Sequence, residues 1–381
     1  MTKKAHSGLY SWLLLISVLI LCFIVLEWGF RYSSLGDKLG SHGAGSVPER
    51  VRQAPAKSPN KFRILGIGDS FTIYRDSQGK NYLRIMQKLA QKEGNSVEII
   101  NLARPGTGPD YYEAVARKYV DTLKPDLVTV GLYLGDDVPA KVLSPHFLPA
   151  PDRSGFKEMV KSQSLLLRYT FRILKQHIPA IQSGHFDNAL AIARKELSIS
   201  DQIFAQRLRS IDPEIIDYAR SDAINPWDLV KGLMQPNQYR ELITQDPASA
   251  SANHIDAFIT MLRRFKKFTD QRKIPLIIII FPIRIQVSIK DQSYFEKLGI
   301  KTGQDLIGDS PLQKTIAAKM KAYGFHHVDM LPALKKAKGD MYIPLDTHLN
   351  NAGQVVAGTH LYHYLKTNNI LTKKYNVSPE G

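Results

Sequence analysis

Ser70, His348 and Asp346 are the residues of this sequence whose types and settings could do chemistry together. Ser70 stands in Gly66-Ile67-Gly68-Asp69-Ser70-Phe71-Thr72, after the apolar run Phe62-Arg63-Ile64-Leu65. Far downstream, Asp346-Thr347-His348 precedes a stretch of helical character. A serine hydroxyl is a poor nucleophile until a base takes its proton, and the base needs a third group to fix its tautomer and orientation. A serine, an imidazole and a carboxylate are those three parts. The Gly-x-Gly-Asp-Ser stretch reads as a buried strand breaking into a loop. That presents Ser70 at the carboxyl edge of a sheet, where α/β proteins place ligands.

The elements that would position these groups follow along the chain. Phe62 to Gly68 is the first expected strand, Val97 to Leu102 the second and Asp126 to Leu134 the third. Between them, Asn81 to Glu93 carries Tyr82, Ile85, Met86 and Leu89 at helical spacing, and Tyr111 to Leu123 follows the helix-start signal Pro109-Asp110. Ile274 to Phe281 has the composition of a fully buried central strand. Ser310 to Tyr323 reads as a helix, Phe325 to Val328 as a short last strand and Asn350 to Leu365 as a closing helix. Short strands separated by such helices imply parallel pairing with right-handed crossovers. The expected fold class is therefore α/β, a three-layer α/β/α sandwich with a central parallel sheet.

Four blocks in this order resemble the SGNH/GDSL hydrolase superfamily, over roughly Lys61–Asp137 and Lys273–Leu365. Gly68-Asp69-Ser70 is similar to that family's nucleophile motif. Asn101-Leu102-Ala103-Arg104-Pro105-Gly106 resembles the block whose glycine amide helps bind the oxyanion. Gly135-Asp136-Asp137 resembles its Gly-x-Asn-Asp block, and Asp346-Thr347-His348-Leu349-Asn350 its acid-and-base block. The Asp-x-His gap is one residue shorter than the most familiar version, and occurs in relatives that acetylate polysaccharides. Each block alone is a weak signal: Gly-Asp-Ser can simply make a turn, and Asp346 can cap the closing helix. Their joint order is what carries the resemblance. It implies a flavodoxin-like SGNH fold and a serine esterase, with Ser70 as nucleophile, His348 as base and Asp346 as its orienting acid. The amides of Ser70 and Gly106 are the implied oxyanion donors. No cofactor is implied.

Asp136 departs from the pattern. An asparagine amide normally donates the third oxyanion hydrogen bond from that position, and an ionised aspartate has no proton to give. Three readings are open. Burial could hold Asp136 protonated; another residue could be the donor; or the chain could bind an acyl or glycan ligand without catalysis. Transfer of an acetyl group to a cell-surface polysaccharide is the rival to hydrolysis, since the two differ only in whether water or a sugar hydroxyl reaches the acyl-serine.

The remainder of the 381 residues divides by composition. Residues 1–32 hold the apolar run Leu9 to Trp28, about as long as a hydrocarbon core of roughly 30 Å requires, with Trp12 and Trp28 near its ends. A cleaved signal is the alternative, but the run exceeds a signal core and no Ala-x-Ala-like site follows. The expectation is a single-pass anchor. Lys3 and Lys4 hold the short end in the cytoplasm, and the soluble body lies on the outer, periplasmic or extracellular side. Cys22, the single cysteine, is inside that run, and Leu21 before it does not suit a lipoprotein signal. Residues 33–60 read as a flexible tether, and 61–138 with 272–370 as the hydrolase core. Residues 139–271 read as a mainly helical insertion containing Leu165-Leu166-Leu167-Arg168-Tyr169.

A net charge of +16 raises the possibility of a nucleic-acid partner, but no zinc, RNA-recognition or helix-turn-helix signature accompanies it. Anionic lipid or an acidic envelope polymer is the better-fitting partner for an anchored protein, with a solvated basic surface as the plain alternative. Arg263, Arg264, Lys266 and Lys267 read as such a solvated helix face. His326-His327 lacks carboxylate or cysteine partners at metal spacing, so no metal site is expected.

Overall fold

The computed structural model describes residues 47–73, 81–138, 179–197, 200–221, 224, 226–234, 237–244, 254–302 and 311–371, with 15, 17–19 and 21–27 near the amino terminus. Its centre is a five-stranded sheet of β1 (Phe62–Gly68), β2 (Val97–Asn101), β3 (Leu127–Tyr133), β4 (Leu276–Phe281) and β5 (His326–Asp329). The strand order is β2-β1-β3-β4-β5, and every neighbouring pair is parallel. The chain leaves β1 toward one side for β2, then crosses back for β3 and continues outward. The crevice beyond the carboxyl ends of β1 and β3 is therefore the topological switch point of the sheet. Ser70 follows β1 and Asp136 follows β3.

Alternation along the strands builds two cores. Leu276, Ile278 and Ile280 of β4 pack with Phe258, Leu262 and Phe265 of the helix His254–Asp270 on one face. Ile277, Ile279 and Phe281 pack on the other with Tyr82, Met86 and Leu361, from the helices Tyr82–Lys92 and Asn351–Thr367. A period of two in a run of isoleucines thus fills both outer layers, as expected of a parallel strand covered on each side. The two helices of the second face come close enough that a Cβ on Gly358 would meet the Tyr82 carbonyl at 2.6 Å. Gln354 Oε1 accepts the Tyr82 main-chain N–H at 2.9 Å, satisfying a donor the helix start leaves open.

The segment read as a flexible tether is only partly one. Val47–Arg52 is helical, Val47 is buried in the first core, and Arg50 donates from Nη1 to Asn101 O at 2.5 Å and from Nη2 to Ala103 O at 2.8 Å. Arg63 explains why further residues follow the surface. This buried strand arginine pairs with Glu98 at 2.7 Å and donates to Leu123 O and to Pro55 O, so the upstream chain supplies an acceptor it needs. Such docking leaves no hydrophobic period to be read in the sequence.

The insertion is helical where it is described: Pro179–Leu197, Asp201–Arg209, Pro213–Arg220, Pro226–Met234 and Gln238–Thr244. Leu165 to Tyr169 lies outside the described residues. Phe186, Ile215, Leu229, Leu233 and Ile243 join the same apolar cluster as Ile278, so the insertion shares the core of the central sheet instead of forming its own. At the amino terminus only part of the apolar run is described; its residues are helical, with Leu19, Leu21, Val25 and Leu26 exposed. Among the described residues no helix is long and apolar enough to cross a membrane. On the basic helix, Arg263 stacks on Tyr323 at 4.2 Å and Lys266 pairs with Asp270 at 2.7 Å.

Candidate active site

The Ser70 loop is shaped by what it must avoid. Gly68 has φ +154°, and a Cβ there would overlap the Thr72 hydroxyl and approach Gly131 O at 2.8 Å, so the end of β1 has to be glycine. Asp69 is buried and accepts the Phe71 N–H at 2.9 Å, turning the chain into the short helix Ser70–Ile73. Ser70, half-buried, is the first residue of that helix. Thr72 O receives the side-chain amides of Asn81 at 2.9 Å and Asn101 at 2.8 Å.

Asn101 begins the second block, which runs alongside the first. Leu102 N donates to Gly66 O at 2.7 Å and Arg104 N to Gly68 O at 2.9 Å. Gly106, at φ +67°, occupies the left-handed region that favours glycine. In the third block, Asp137 is buried; its carboxylate accepts the Tyr133 N–H at 2.8 Å and lies 2.8 Å from the Tyr112 hydroxyl. Asp137 is therefore a structural acceptor, held well above the ordinary aspartate range by burial and by the charge of Asp69.

The acid-and-base block is pinned to the end of β4. Tyr342 and Leu349 form an isolated antiparallel bridge, and Ile343 N donates to His348 O at 2.9 Å. Arg284, just past β4, donates to Ile343 O at 2.8 Å and to Asp346 O, while its other nitrogen pairs with Asp291 at 2.5 Å. Tyr294 donates to Leu345 O at 3.0 Å, and Leu345 itself has φ +55°. Within this frame His348 Nδ1 lies 2.6 Å from Asp346 Oδ1, which also accepts the His348 main-chain N–H at 2.8 Å.

Charge follows from that contact. Burial alone would lower the His348 pKa, but the Asp346 hydrogen bond and charge outweigh it, with Asp69 and Asp228 adding to them, and the imidazole titrates above its ordinary value. Burial pushes Asp346 up, yet the hydrogen bonds and charge of His348, helped by Arg284, bring it below the usual carboxylate range. An imidazole made more basic by an ionised, hydrogen-bonded carboxylate is the electronic arrangement a general base needs.

The blocks meet through Phe71. Its ring stacks on Tyr133 at 4.2 Å and lies 5.2 Å from the His348 ring, so the residue after Ser70 is in the neighbourhood of the imidazole. Asp69 is raised to about 7, chiefly by burial and next by Asp136. Asp136 itself lacks the burial that one reading required: its side chain is 39% exposed, and Lys231 Nζ stands 2.7 Å from its Oδ1. The same ammonium is 3.7 Å from the buried Asp228. Asp228 is raised to about 6, first by burial, against the pull of Lys231 and with the push of Asp346 and Asp136.

Lys231, Asp228 and Arg284 are residues that sequence reasoning did not single out. Asp228 and Lys231 are three apart on the helix Pro226–Met234, an ordinary surface spacing whose partner across the fold no local pattern reveals. Among the described residues no group of three or more His, Cys, Asp or Glu side chains is placed to hold a metal ion.

No family model and no curated protein matches the sequence. Solved structures similar to this one include TesA, at 12% identity and a TM-score of 0.37, covering 80% of this chain and 98% of TesA. Another is Axe2, an acetylxylan esterase from Geobacillus stearothermophilus, at 12% identity and a TM-score of 0.38, covering 80% of this chain and 94% of Axe2. Likeness at that level carries no weight for function, which has to be argued from the site.

Proposed function

We propose that this chain is a serine esterase of the SGNH type, cleaving an acyl ester through an acyl-serine intermediate. The observation that carries the reading is the His348–Asp346 contact at 2.6 Å, on a loop whose imidazole ring is 5.2 Å from the side chain following Ser70. With Nδ1 engaged by Asp346, Nε2 is the nitrogen that takes the Ser70 proton. Ser70 Oγ then bonds to the acyl carbon, and the carbonyl electron pair moves onto oxygen, toward the amides of Ser70 and Gly106. Collapse of that intermediate expels the alcohol, which takes its proton back from His348. Water activated by the same imidazole releases the acid.

The substrate class is an acyl ester of an envelope glycan or lipid, reached by a body tethered through the apolar run Leu9 to Trp28 on the outer side of a membrane. The length of that run and the +16 charge support this part. Labelling by a serine-reactive fluorophosphonate tests the chemistry: the wild-type chain reacts at Ser70 and Ser70→Ala does not. Absence of labelling in the folded wild type would leave a ligand-binding protein without catalysis. With an acetylated donor and an acceptor sugar, free acetate as the product distinguishes hydrolysis from transfer.

A further inference from the structure

The described part of the candidate site is rich in acid. Asp346 touches His348, Asp69 and Asp228 act on the same imidazole through their charge, and Asp136 acts on both Asp69 and Asp228. Acyl transfer adds one more negative charge, on the former carbonyl oxygen. A carboxylate near a developing oxyanion raises the energy of that state, and in a partly desolvated cleft the effect is far larger than in water. With an aspartate after β3, a cation paired to it would favour the step.

The insertion delivers one. Lys231 is 14% exposed, with its ammonium 2.7 Å from Asp136 and 3.7 Å from Asp228. Its placement is built into the fold. A Cβ on the next residue, Gly232, would overlap the Leu298 carbonyl, so this helix approaches its neighbour as closely as only glycine permits. Leu229, Val230 and Leu233 are buried around the lysine, and Arg207 donates to Leu233 O at 2.8 Å, fixing the helix end.

We propose that Lys231 is an electrostatic positioning residue of the acyl-transfer step. By pairing with Asp136, which stands where the resembled motif has its third oxyanion donor, it cancels that carboxylate's charge, so the inserted helices complete the active site. Lys231 gives up no proton: the Ser70 proton goes to His348 and then to the leaving alcohol. The inference rests on the serine-esterase reading, and its test keeps the two apart.

The test is a double-variant cycle in the full-length chain, reading kcat and KM for p-nitrophenyl acetate and the rate at which fluorophosphonate labels Ser70. Lys231→Met should lower kcat and the labelling rate on the order of 10²-fold, with little change in KM. Lys231→Arg, which keeps the charge, should recover most of that loss. In the Asp136→Asn background the same Lys231→Met change should cost less than about 10-fold, because the charge to be cancelled is gone. An equal loss in both backgrounds would assign Lys231 a purely structural part and overturn the proposal, as would an unchanged kcat in Lys231→Met. Should Lys231→Met fail to fold, Lys231→Gln takes its place in the same cycle. A wild-type chain that is never labelled at Ser70 would overturn the esterase reading itself, a separate outcome.

Discussion

The ring of Phe71 stacks on the ring of Tyr133 at 4.2 Å and lies 5.2 Å from the imidazole of His348. One fully buried side chain therefore couples the ends of β1 and β3 to the acid-and-base loop. Phe71→Ala should cost about 3–5 kcal/mol of stability through the cavity it leaves. It should also lower kcat, because the imidazole loses a wall. Denaturant unfolding and steady-state kinetics on one preparation check both, and a stable variant of unchanged kcat would show that Phe71 does not orient His348.

The His348–Asp346 contact has a pH signature. The imidazole pKa is raised, so the neutral base is lost as pH falls through a value above the ordinary 6.5, and the acid limb of kcat/KM should lie above that point. Asp346→Asn removes the hydrogen bond and charge that raise it while burial, which lowers it, remains. The limb should then move to lower pH, and the rate should drop by about 10⁴-fold as the imidazole loses its fixed tautomer. A pH–rate profile of both proteins reads the two effects, and a limb that stays in place would separate Asp346 from the base.

Arg284 fixes the same loop from behind. It holds the carbonyls of Ile343 and Asp346, and its pair with Asp291 at 2.5 Å is nearly shielded from solvent. Arg284→Met strands the Asp291 carboxylate and should destabilise the chain by about 3–5 kcal/mol. The remaining folded protein should show a lower kcat at similar KM. Thermal unfolding and kinetics at a temperature well below the new midpoint measure these separately.

Asp69 should make stability depend on pH. Burial first, and the charge of Asp136 next, raise its folded pKa to about 7 from an ordinary 3.8. Between those values the unfolded chain is ionised and the native one protonated, so the native state binds more protons and stability falls as pH rises, levelling above the folded value. Asp69→Asn keeps an oxygen for the Phe71 N–H and loses this slope. Relative to wild type it should gain stability progressively as pH rises across that range, at no more than about 1.4 kcal/mol per pH unit. Urea unfolding of both proteins at pH 4.5, 6 and 7.5, values spread over about that window, tests it; parallel curves would show that Asp69 is not the source.

Strands announced themselves in the sequence wherever a run was apolar enough to be buried on both faces. β4 is the plainest case: a block of isoleucines needs no partner to identify it, and the expected span begins two residues before the observed Leu276–Phe281. The contact of Asp346 with His348 was legible too, since two residues separated by one position on a tight loop have little choice but to meet. Lys231 was not. Its partner Asp136 lies just ahead of the long insertion that carries the lysine, and an ion pair between distant segments leaves no mark on local periodicity or charge pattern. Val47–Arg52 escaped for a related reason: a six-residue helix with one buried apolar side chain has no hydrophobic stripe to read.

That short helix has a practical corollary for where the chain can be cut. Arg50 is the brace of the loop leading to Gly106, gripping the carbonyls of Asn101 and Ala103, and Pro55 supplies an acceptor to the buried Arg63. A soluble fragment trimmed to the first strand at Phe62 would keep every block of the recognised pattern. It would nevertheless leave the second block unbraced and a buried guanidinium short of one acceptor. Such a fragment would underestimate the activity of the whole chain, and a faithful one has to begin upstream of Val47.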